Sequence, residues 1–203
     1  ESMIRTGQAR YVLVVGAEVL TKYVDYTDRG TCVIFGDGAG AAVLGPVEEG
    51  KGILATKIRS DGRYEEQLYS PGGGTKLGLT KESIDNRDCF FKMKGNELFK
   101  VAVRSMAEIS AEVLEKAGVS AEEVDLVIPH QANQRITDAV AARLSVPEEK
   151  IFSNIAEHGN TSSASIPIAM DECIQSGRIK EGSLVLLTAF GGGVTWGGTV
   201  IRF

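Results

Sequence analysis

His130 follows directly on an apolar stretch, and this placement is the first sign of chemistry in the chain. Asp125–Ile128 has the composition of a buried strand, and a helix is predicted to begin shortly after Pro129. In open α/β sheets, ligand sites lie at the carboxyl ends of strands. An imidazole held there faces a cleft, whereas a purely structural His130 would satisfy a backbone group or cap the helix. Its position alone leaves both interpretations open.

A second polar segment, Glu157–Ser165, contains Asn160 and precedes an apolar-periodic stretch. The pattern predicts a helix over Asn160–Ser176 with Asn160 as its N-cap. The carboxamide of Asn160 could instead point into a cavity and donate a hydrogen bond. We expect a structural role for His158 in the same segment, because a polar side chain near a helix end is usually satisfied locally.

Three consecutive glycines, Gly191–Gly193, separate the predicted strands Ser183–Ala189 and Thr195–Phe203. Glycines between strands indicate a tight turn, and they also let a backbone N–H approach a ligand closely, as an oxyanion hole requires. A phosphate loop is excluded, because no Lys-Ser/Thr pair follows and no helix begins there. Gly36–Gly40 lies between strands and matches a dinucleotide-binding fingerprint only loosely.

The elements that must position these residues have an α/β order. Tyr11–Val15 is a continuous apolar run typical of a strand buried on both faces. Thr31–Phe35 predicts another strand, which Gly36–Gly40 breaks before Ala41–Leu44 continues it. From residue 53 the order strand, helix, strand, helix, helix, strand, strand indicates an α/β fold with a largely buried sheet. The other predicted elements are the strand Ile53–Ser60, a loop region over 61–92, the helix Asn96–Ala117 with Asn96 as N-cap and Gly118 after its end, and a helix that ends near Leu144.

Composition restricts the classes of function. The 203 residues are 43% apolar and 24% charged, which is typical of a soluble globular protein, and no apolar run approaches the ~20 residues that span a bilayer. A net charge of −5 argues against general nucleic-acid binding. Cys32, Cys89 and Cys173 are far apart and odd in number, which favours reduced thiols in the cytoplasm. His130 and His158 lack metal-ligand spacing, so no catalytic metal is expected.

The two ends of the chain differ. Glu1–Gly7 is typical of the last turns of a helix and has neither an initiator Met nor the layout of a signal peptide. Trp196–Phe203 is typical of a strand. We therefore expect an incomplete amino terminus and a natural carboxyl terminus.

Five motifs, in order along nearly the whole chain, resemble the signature of the β-ketoacyl-acyl-carrier-protein synthase III family. They are Asp28–Thr31 followed by Phe35–Ala42, Lys94–Glu97, Pro129–Asn133, Gly159–Ser162 and Gly191–Gly197. Each motif is weak alone, and their common order makes the resemblance specific. It implies a thiolase-like fold of two related halves in α-β-α-β-α layers. Residues 1–49 would be the end of the N-terminal half and residues 50–203 the C-terminal half.

The resemblance implies a decarboxylative Claisen condensation that starts fatty-acid chains. An acyl group, usually acetyl from coenzyme A, would be joined to malonyl on acyl carrier protein. His130 and Asn160 would be the catalytic donors that stabilise negative charge on the malonyl thioester oxygen. The Gly192 N–H would belong to an oxyanion hole, and Phe190 would line the cavity. No cofactor is implied, since acyl-CoA is a substrate.

The resemblance also implies a tunnel for the pantetheine arm and a docking surface for its carrier. The tunnel residues would be Arg29, Gly95, Asn96, Phe99, Ala132 and Asn133. The docking surface, here called the basic patch, would consist of Lys100, Arg104, Arg135 and Arg143. An acidic carrier protein would meet these cations, although each fits a solvated helix face equally well. The expected partners are acyl-CoA, acyl carrier protein and a second copy of the chain in the cytoplasm, with neither nucleic acid nor membrane.

The sequence departs from the family pattern at the nucleophile. The family's Cys begins the helix before the Tyr11 strand, and this sequence begins inside that helix. Cys32, Cys89 and Cys173 do not match its position, and each is predicted to be inert. Two rivals stay open: a sibling condensing enzyme of the chalcone-type, long-chain or hydroxymethylglutaryl-CoA class, and an inactive half-domain that binds pantetheine or a Cys-bearing partner. Gly159–Ser162 and the compact length favour the fatty-acid starter enzyme over its siblings.

Overall fold

The computed structural model describes all residues from 1 to 203 and contains six α-helices and eight β-strands. The helices are α1 (Ser2–Arg5), α2 (Lys81–Asp85), α3 (Gly95–Ala117), α4 (Gln134–Leu144), α5 (Ile155–His158) and α6 (Ser165–Gln175). The strands are β1 (Val12–Val19), β2 (Asp37–Leu44), β3 (Gly52–Ser60), β4 (Leu68–Tyr69), β5 (Lys92–Met93), β6 (Leu126–Pro129), β7 (Leu184–Gly191) and β8 (Thr195–Arg202). Short 3₁₀ turns occupy Leu20–Lys22, Gly62–Gln67, Glu148–Lys150 and Ser162–Ala164.

A four-stranded sheet in the order β3-β8-β7-β6 carries the largest part of the core. β6 and β7 are parallel, and β8 is antiparallel to both of its neighbours. Leu126 and Ile128 of β6 pack on Ala169 and Cys173 of α6. Val127, which lies between them, points to the opposite face and packs with residues of α3. The sheet is therefore covered on both faces, as the continuous apolar composition of its strands predicts.

A separate antiparallel pair, β1 and β2, packs against the other side of α6 and the Ser162–Ala164 turn. Its outer face leaves Leu13, Val15 and Val43 exposed. The prediction that Tyr11–Val15 is buried on both faces is therefore wrong, because no element of this chain covers that outer face. The resulting layers are the β1–β2 pair, α6, the four-stranded sheet, and α3 with α4.

Residues 31–34 form a turn, and Phe35 makes only an isolated β-bridge with Asn160, in place of the predicted strand Thr31–Phe35. The Asp28 carboxylate accepts the Gly30 N–H at 2.9 Å, and the Asp28 carbonyl accepts the Cys32 N–H at 3.0 Å. Such local bonds from an Asp side chain and its backbone compete with extended structure. A strand-forming composition is overridden here by the preceding Asp-Arg-Gly turn.

The expected break at Gly36–Gly40 is also wrong, because β2 already begins at Asp37. A Cβ added at Gly40 would lie 2.9 Å from the Cβ of Pro167 in α6. The glycines of this segment therefore serve close approach between a strand and a helix, and they do not end the strand.

Helix boundaries differ from the prediction at two amino ends. α3 begins at Gly95, so Asn96 lies in its first turn; the preceding Lys94 offers no side-chain cap. The predicted helix Asn160–Ser176 begins later, with the Ser162–Ala164 turn and then α6. Gly118 ends α3 in the left-handed region at φ +69°, as predicted.

The other predicted elements are confirmed within one or two residues, including the strand over 53–60, the helix to Leu144 and the last two strands. The region 61–92 is mostly irregular and contains only short elements. No helix combines the length and the apolar character needed to cross a membrane. The boundary at residues 49/50 falls between β2 and β3, and the division into two halves there stays a prediction.

Candidate active site

A cavity of about 710 Å³ opens where the carboxyl ends of β6 and β7 meet the amino ends of α3 and α4. Both residues predicted to be catalytic, His130 and Asn160, line it, and so do Phe190 and Gly192. Residues thirty positions apart along the chain therefore share one pocket. The carboxyl ends of strands are where the topology predicts a ligand site.

His130 is held at the end of β6 by its backbone and its ring. Its N–H donates to the Thr188 carbonyl of β7 at 2.7 Å. Its ring Nδ1 lies 2.6 Å from the hydroxyl oxygen of Ser165, the first residue of α6. Burial of the ring lowers the pKa of His130 from 6.5 to about 4. The imidazole is therefore neutral at physiological pH.

Gln131 fixes the chain just after His130. Its side chain is fully buried, and its Nε2 donates to the carbonyls of Pro129 and Phe152. Its Oε1 accepts the N–H of Asn154 at 3.1 Å. Every hydrogen-bonding group of this amide has a partner in the protein, so Gln131 ties the turn after β6 to the segment that leads towards Asn160.

The backbone of Asn160 is held by a two-bond bridge to an earlier part of the chain. Its N–H donates to the Ile34 carbonyl, and its carbonyl accepts the Gly36 N–H, each at 2.9 Å. Its side-chain Oδ1 accepts the Ser162 N–H at 2.9 Å. This bond fixes which end of the amide is the oxygen, because only an acceptor can face an N–H. The Nδ2 donor group is left for the cavity.

The bridge at Asn160 needs glycines at its crossing point. A Cβ at Gly36 would overlap the His158 carbonyl oxygen. Gly159 has φ +67°, and a Cβ there would lie 3.0 Å from the Ile34 carbonyl oxygen. Side chains at either position would separate the two segments and shift Asn160.

Two nitrogen donors of the site are directed at the cavity without a protein partner. Neither Nε2 of His130 nor Nδ2 of Asn160 makes a hydrogen bond within the chain. Of the side-chain nitrogen and oxygen atoms that are completely buried, only Oε1 of Gln67 lacks a hydrogen-bond partner. Because the nitrogens of His130 and Asn160 also lack partners, they are not completely buried, and they are accessible from the cavity that both residues line. The Gly192 N–H, in the turn after β7, also lacks an acceptor in the chain.

The residues predicted to form the pantetheine tunnel are mostly brought to the same cavity. Those that line it are Gly95, Asn96, Phe99, Ala132 and Asn133. Asn133 also caps α4, where its Oδ1 accepts the Arg135 N–H at 2.9 Å. Arg29 is exposed and does not line the cavity, although its neighbour Gly30 does.

The basic patch lies on two helices that pack on one another, α3 and α4. All four of its cations are exposed, and none forms an ion pair within 4.0 Å. Only Arg135 reaches the cavity lining, and its guanidinium stacks over the Phe99 ring at 5.4 Å from the centroid. The other members, Lys100, Arg104 and Arg143, lie outside the cavity.

None of the three cysteines lines the cavity. Cys173 is fully buried in the core, and burial raises the pKa of its thiol to about 11. Cys32 and Cys89 are half-buried in the irregular segments. His158 pairs with Glu172 at 2.6 Å on the surface, which agrees with the structural role expected for it.

Models of one protein family match most of the chain. The model described as 3-oxoacyl-[acyl-carrier-protein (ACP)] synthase III C terminal matches residues 114–203. The model described as 3-oxoacyl-[acyl-carrier-protein (ACP)] synthase III matches residues 1–62. A beta-ketoacyl-[acyl-carrier-protein] synthase III of Aquifex aeolicus is 52% identical over 203 residues, with 100% of this chain and 61% of that protein covered. The chain belongs to the synthase III family.

Solved structures of the synthase III family have the same fold. The crystal structure from Aquifex aeolicus matches with a TM-score of 0.89 at 53% identity, covering 100% of this chain and 61% of that one. The structure from Thermus thermophilus matches with a TM-score of 0.89 at 43% identity, covering 100% and 62%. The predicted thiolase-like layered fold is confirmed. The chain spans about 61% of the length of the synthase III relatives that it matches.

Sequence reasoning missed two residues that position the synthase III site. Ser165 contacts the His130 ring across 35 positions of sequence, and Gln131 is the buried amide beside it. Serine is common near the start of helices, so no local pattern distinguishes Ser165. Gln131 lies inside the motif Pro129–Asn133, but only its complete burial reveals its role.

Proposed function

We propose that this chain supplies the decarboxylation half of the active site of a β-ketoacyl-acyl-carrier-protein synthase III. The reaction joins an acyl group from acyl-CoA, with acetyl as the expected group, to malonyl on acyl carrier protein. The observation that carries the proposal is the pair of unpartnered donors, His130 Nε2 and Asn160 Nδ2, on one cavity.

The chemistry of the first step requires such a pair. Breaking the bond between the malonyl carboxylate and its C2 carbon releases CO₂ and leaves the electron pair on C2. Conjugation moves the charge to the thioester oxygen, which becomes an enolate. Two fixed N–H donors stabilise that oxygen most strongly where water is scarce. A neutral His130 can donate from Nε2 without placing a proton on the carbon that must attack.

The second step uses the C2 carbanion as a nucleophile. It attacks the carbonyl of an acyl thioester, and the tetrahedral intermediate expels a thiolate and leaves the β-ketoacyl product on the carrier. The cavity contains no cysteine of this chain, so we propose that the acyl-bearing thiolate comes from outside residues 1–203. The Gly192 N–H would stabilise the second oxyanion; the support is that Gly192 lines the cavity and that its N–H has no acceptor in the chain.

The same proposal assigns the remaining parts of the site. Asn96 and Asn133 line the cavity with amide groups suited to the amides of a pantetheine arm. The basic patch, with no internal ion pairs, suits an acidic carrier protein. We further propose a cytoplasmic homodimer, for which the support is the family membership.

The proposal is tested in the full-length protein by release of CO₂ from malonyl-CoA. His130→Ala and Asn160→Ala are each expected to lower the decarboxylation kcat by about 10²–10³, the usual loss for one oxyanion donor. His158→Ala is the matched control, because it removes an exposed imidazole outside the cavity, and it should retain the wild-type rate. Wild-type decarboxylation in both single variants would reject the proposed roles.

A further inference from the structure

The hydroxyl of Ser165 contacts the His130 ring at Nδ1, whereas Nε2 of the ring makes no hydrogen bond within the chain. Its oxygen lies 2.6 Å from Nδ1 of His130, and the Ser165 side chain is almost completely buried. Neutral imidazole carries one proton, and the two tautomers place it on opposite nitrogens. Only the Nε2–H tautomer can donate into the cavity, so the direction of the Ser165 contact matters.

The hydrogen-bond inventory around the Ser165 oxygen fixes that direction. The Gln131 N–H points at this oxygen from 3.4 Å, which occupies one lone pair. No carbonyl or carboxylate accepts from the hydroxyl, and Nδ1 of His130 is its only acceptor in the chain. If Nδ1 carried the proton, the serine would accept two N–H bonds and its own buried O–H would have no protein acceptor, which is unfavourable.

The placement of Ser165 on α6 supports the same protonation. Ser165 is the first residue of this 11-residue helix, so the ring lies near a helix amino end, where positive charge is disfavoured. The cavity around the ring holds Arg135 as its one charged lining side chain, which also opposes an imidazolium. A neutral ring with an unprotonated Nδ1 fits each of these surroundings.

We propose that Ser165 is a positioning residue that donates its hydroxyl proton to Nδ1 of His130 and thereby holds the imidazole in the Nε2–H tautomer. This inference rests on the proposed function, in which Nε2 donates to the enolate oxygen. It goes beyond that function by naming the group that selects the active tautomer. Ser165 acts through His130 and does not touch the substrate oxygen.

Nitrogen NMR of the full-length protein, labelled with ¹⁵N-histidine, reads the tautomer directly. The His130 signals are assigned by their loss in His130→Gln. In the wild type, Nδ1 is expected at the shift of an unprotonated ring nitrogen and Nε2 at that of a protonated one. The opposite pattern, with Nδ1 protonated, would overturn the proposal without any variant of Ser165.

Ser165→Ala tests whether the serine is the cause of that tautomer. The variant should move the His130 signals towards a mixture of tautomers and lower the decarboxylation kcat roughly tenfold, the ratio that one ordinary hydrogen bond supports, with an unchanged KM for malonyl-CoA. Ser110→Ala is the matched control, because Ser110 is equally buried and its hydroxyl bonds only the Met106 carbonyl within α3. An unshifted Nε2–H tautomer in folded Ser165→Ala would overturn the proposal.

A conservative variant separates loss of the hydroxyl from loss of fold. Ser165→Thr keeps the donor and should restore both the wild-type nitrogen shifts and most of the rate; a folded Ser165→Thr with the Ser165→Ala spectrum would count against the proposal. If either variant fails to fold by circular dichroism, the wild-type spectrum still decides. An Nε2–H tautomer that persists in folded Ser165→Ala defeats this inference alone, whereas wild-type decarboxylation in His130→Ala defeats the proposed function.

Discussion

At the scale of single residues, the site depends on which atoms are already satisfied and which are free. Oδ1 of Asn160 accepts a hydrogen bond from the Ser162 N–H, and Nδ1 of His130 is hydrogen-bonded to the Ser165 hydroxyl. Each residue therefore has one side-chain nitrogen without a partner, Nε2 of His130 and Nδ2 of Asn160, and both residues line the cavity. Donors fixed in this way need little reorganisation when charge develops on a substrate oxygen.

The lowered pKa of His130 predicts a dependence of stability on pH. The unfolded chain takes up this proton near pH 6.5, and the native protein takes it up only near pH 4. The contribution of neutral His130 is therefore present above about pH 6.5 and is lost as the pH falls towards 4. Urea unfolding across this range should show a fall in stability that is smaller in His130→Gln. The same pH profile in both proteins would contradict the assignment.

At the scale of elements, the β1–β2 pair and α6 support the Asn160 segment by close contact. Gly16 of β1 crosses the Ser163 carbonyl so closely that an added Cβ would overlap it. Glu18 of the same strand accepts the Ser163 hydroxyl at 2.6 Å. Strand β1 therefore fixes the turn that follows Asn160. A substitution that distorts this contact should also displace the Asn160 side chain.

Gly16→Ala is expected to destabilise the full-length protein by about 1–3 kcal/mol, the usual cost of overpacking. It should also slow malonyl-CoA decarboxylation, because the Ser162–Ala164 turn must shift. Gly78→Ala is the control: Gly78 has open space around its Cβ position and no positive φ. Equal unfolding midpoints for the two variants in urea would show that the crossing does not matter.

The basic patch on α3 and α4 is expected to affect binding of the acyl carrier protein and not the decarboxylation step. Replacing Lys100 and Arg104 together by Glu should raise the KM for malonyl-carrier protein about tenfold or more, since steering by charge changes association by 10-fold to 10³-fold. The kinetics with malonyl-CoA should be unaffected, because neither side chain lines the cavity.

Lys180→Glu is the matched control for that surface. Lys180 is exposed, belongs to no ion pair and lies after α6, away from the basic patch. It should leave the KM for both substrates at wild-type values. An equal rise in KM for the carrier substrate per reversed charge in the two variants would show that only net charge matters and would reject the basic patch.

At the scale of the whole molecule, apolar patterns predicted an α/β fold with a largely buried sheet, whereas the thiolase-like layers were implied by the family resemblance. The helix α3 and the strands β6 to β8 follow directly from such patterns. The turn at residues 31–34 did not follow from the sequence, because the local hydrogen bonds of Asp28 outweigh the strand-forming composition of this segment. The position of Asn160 could be predicted only through a motif. Its backbone bonds to Ile34 and Gly36 join segments that are far apart in the sequence, and no local pattern reveals such a contact.

The contact between Ser165 and His130 lay beyond sequence reasoning for a related reason. Two elements that are distant in sequence must first dock before one hydroxyl meets one ring nitrogen. From the sequence alone, Gly36 and Gly40 predict a broken strand. The structure shows instead that they allow close approach of the segments containing His158 and Pro167.

The central claim is that His130 and Asn160 act on one oxygen in one cavity. A double-mutant cycle on malonyl-CoA decarboxylation in the full-length protein tests it most directly, using His130→Ala, Asn160→Ala and both changes together. Groups that act as a unit are strongly non-additive, so we predict that the double variant loses much less activity than the product of the two single losses. Losses that simply multiply, or single variants that retain the wild-type rate, would contradict the account.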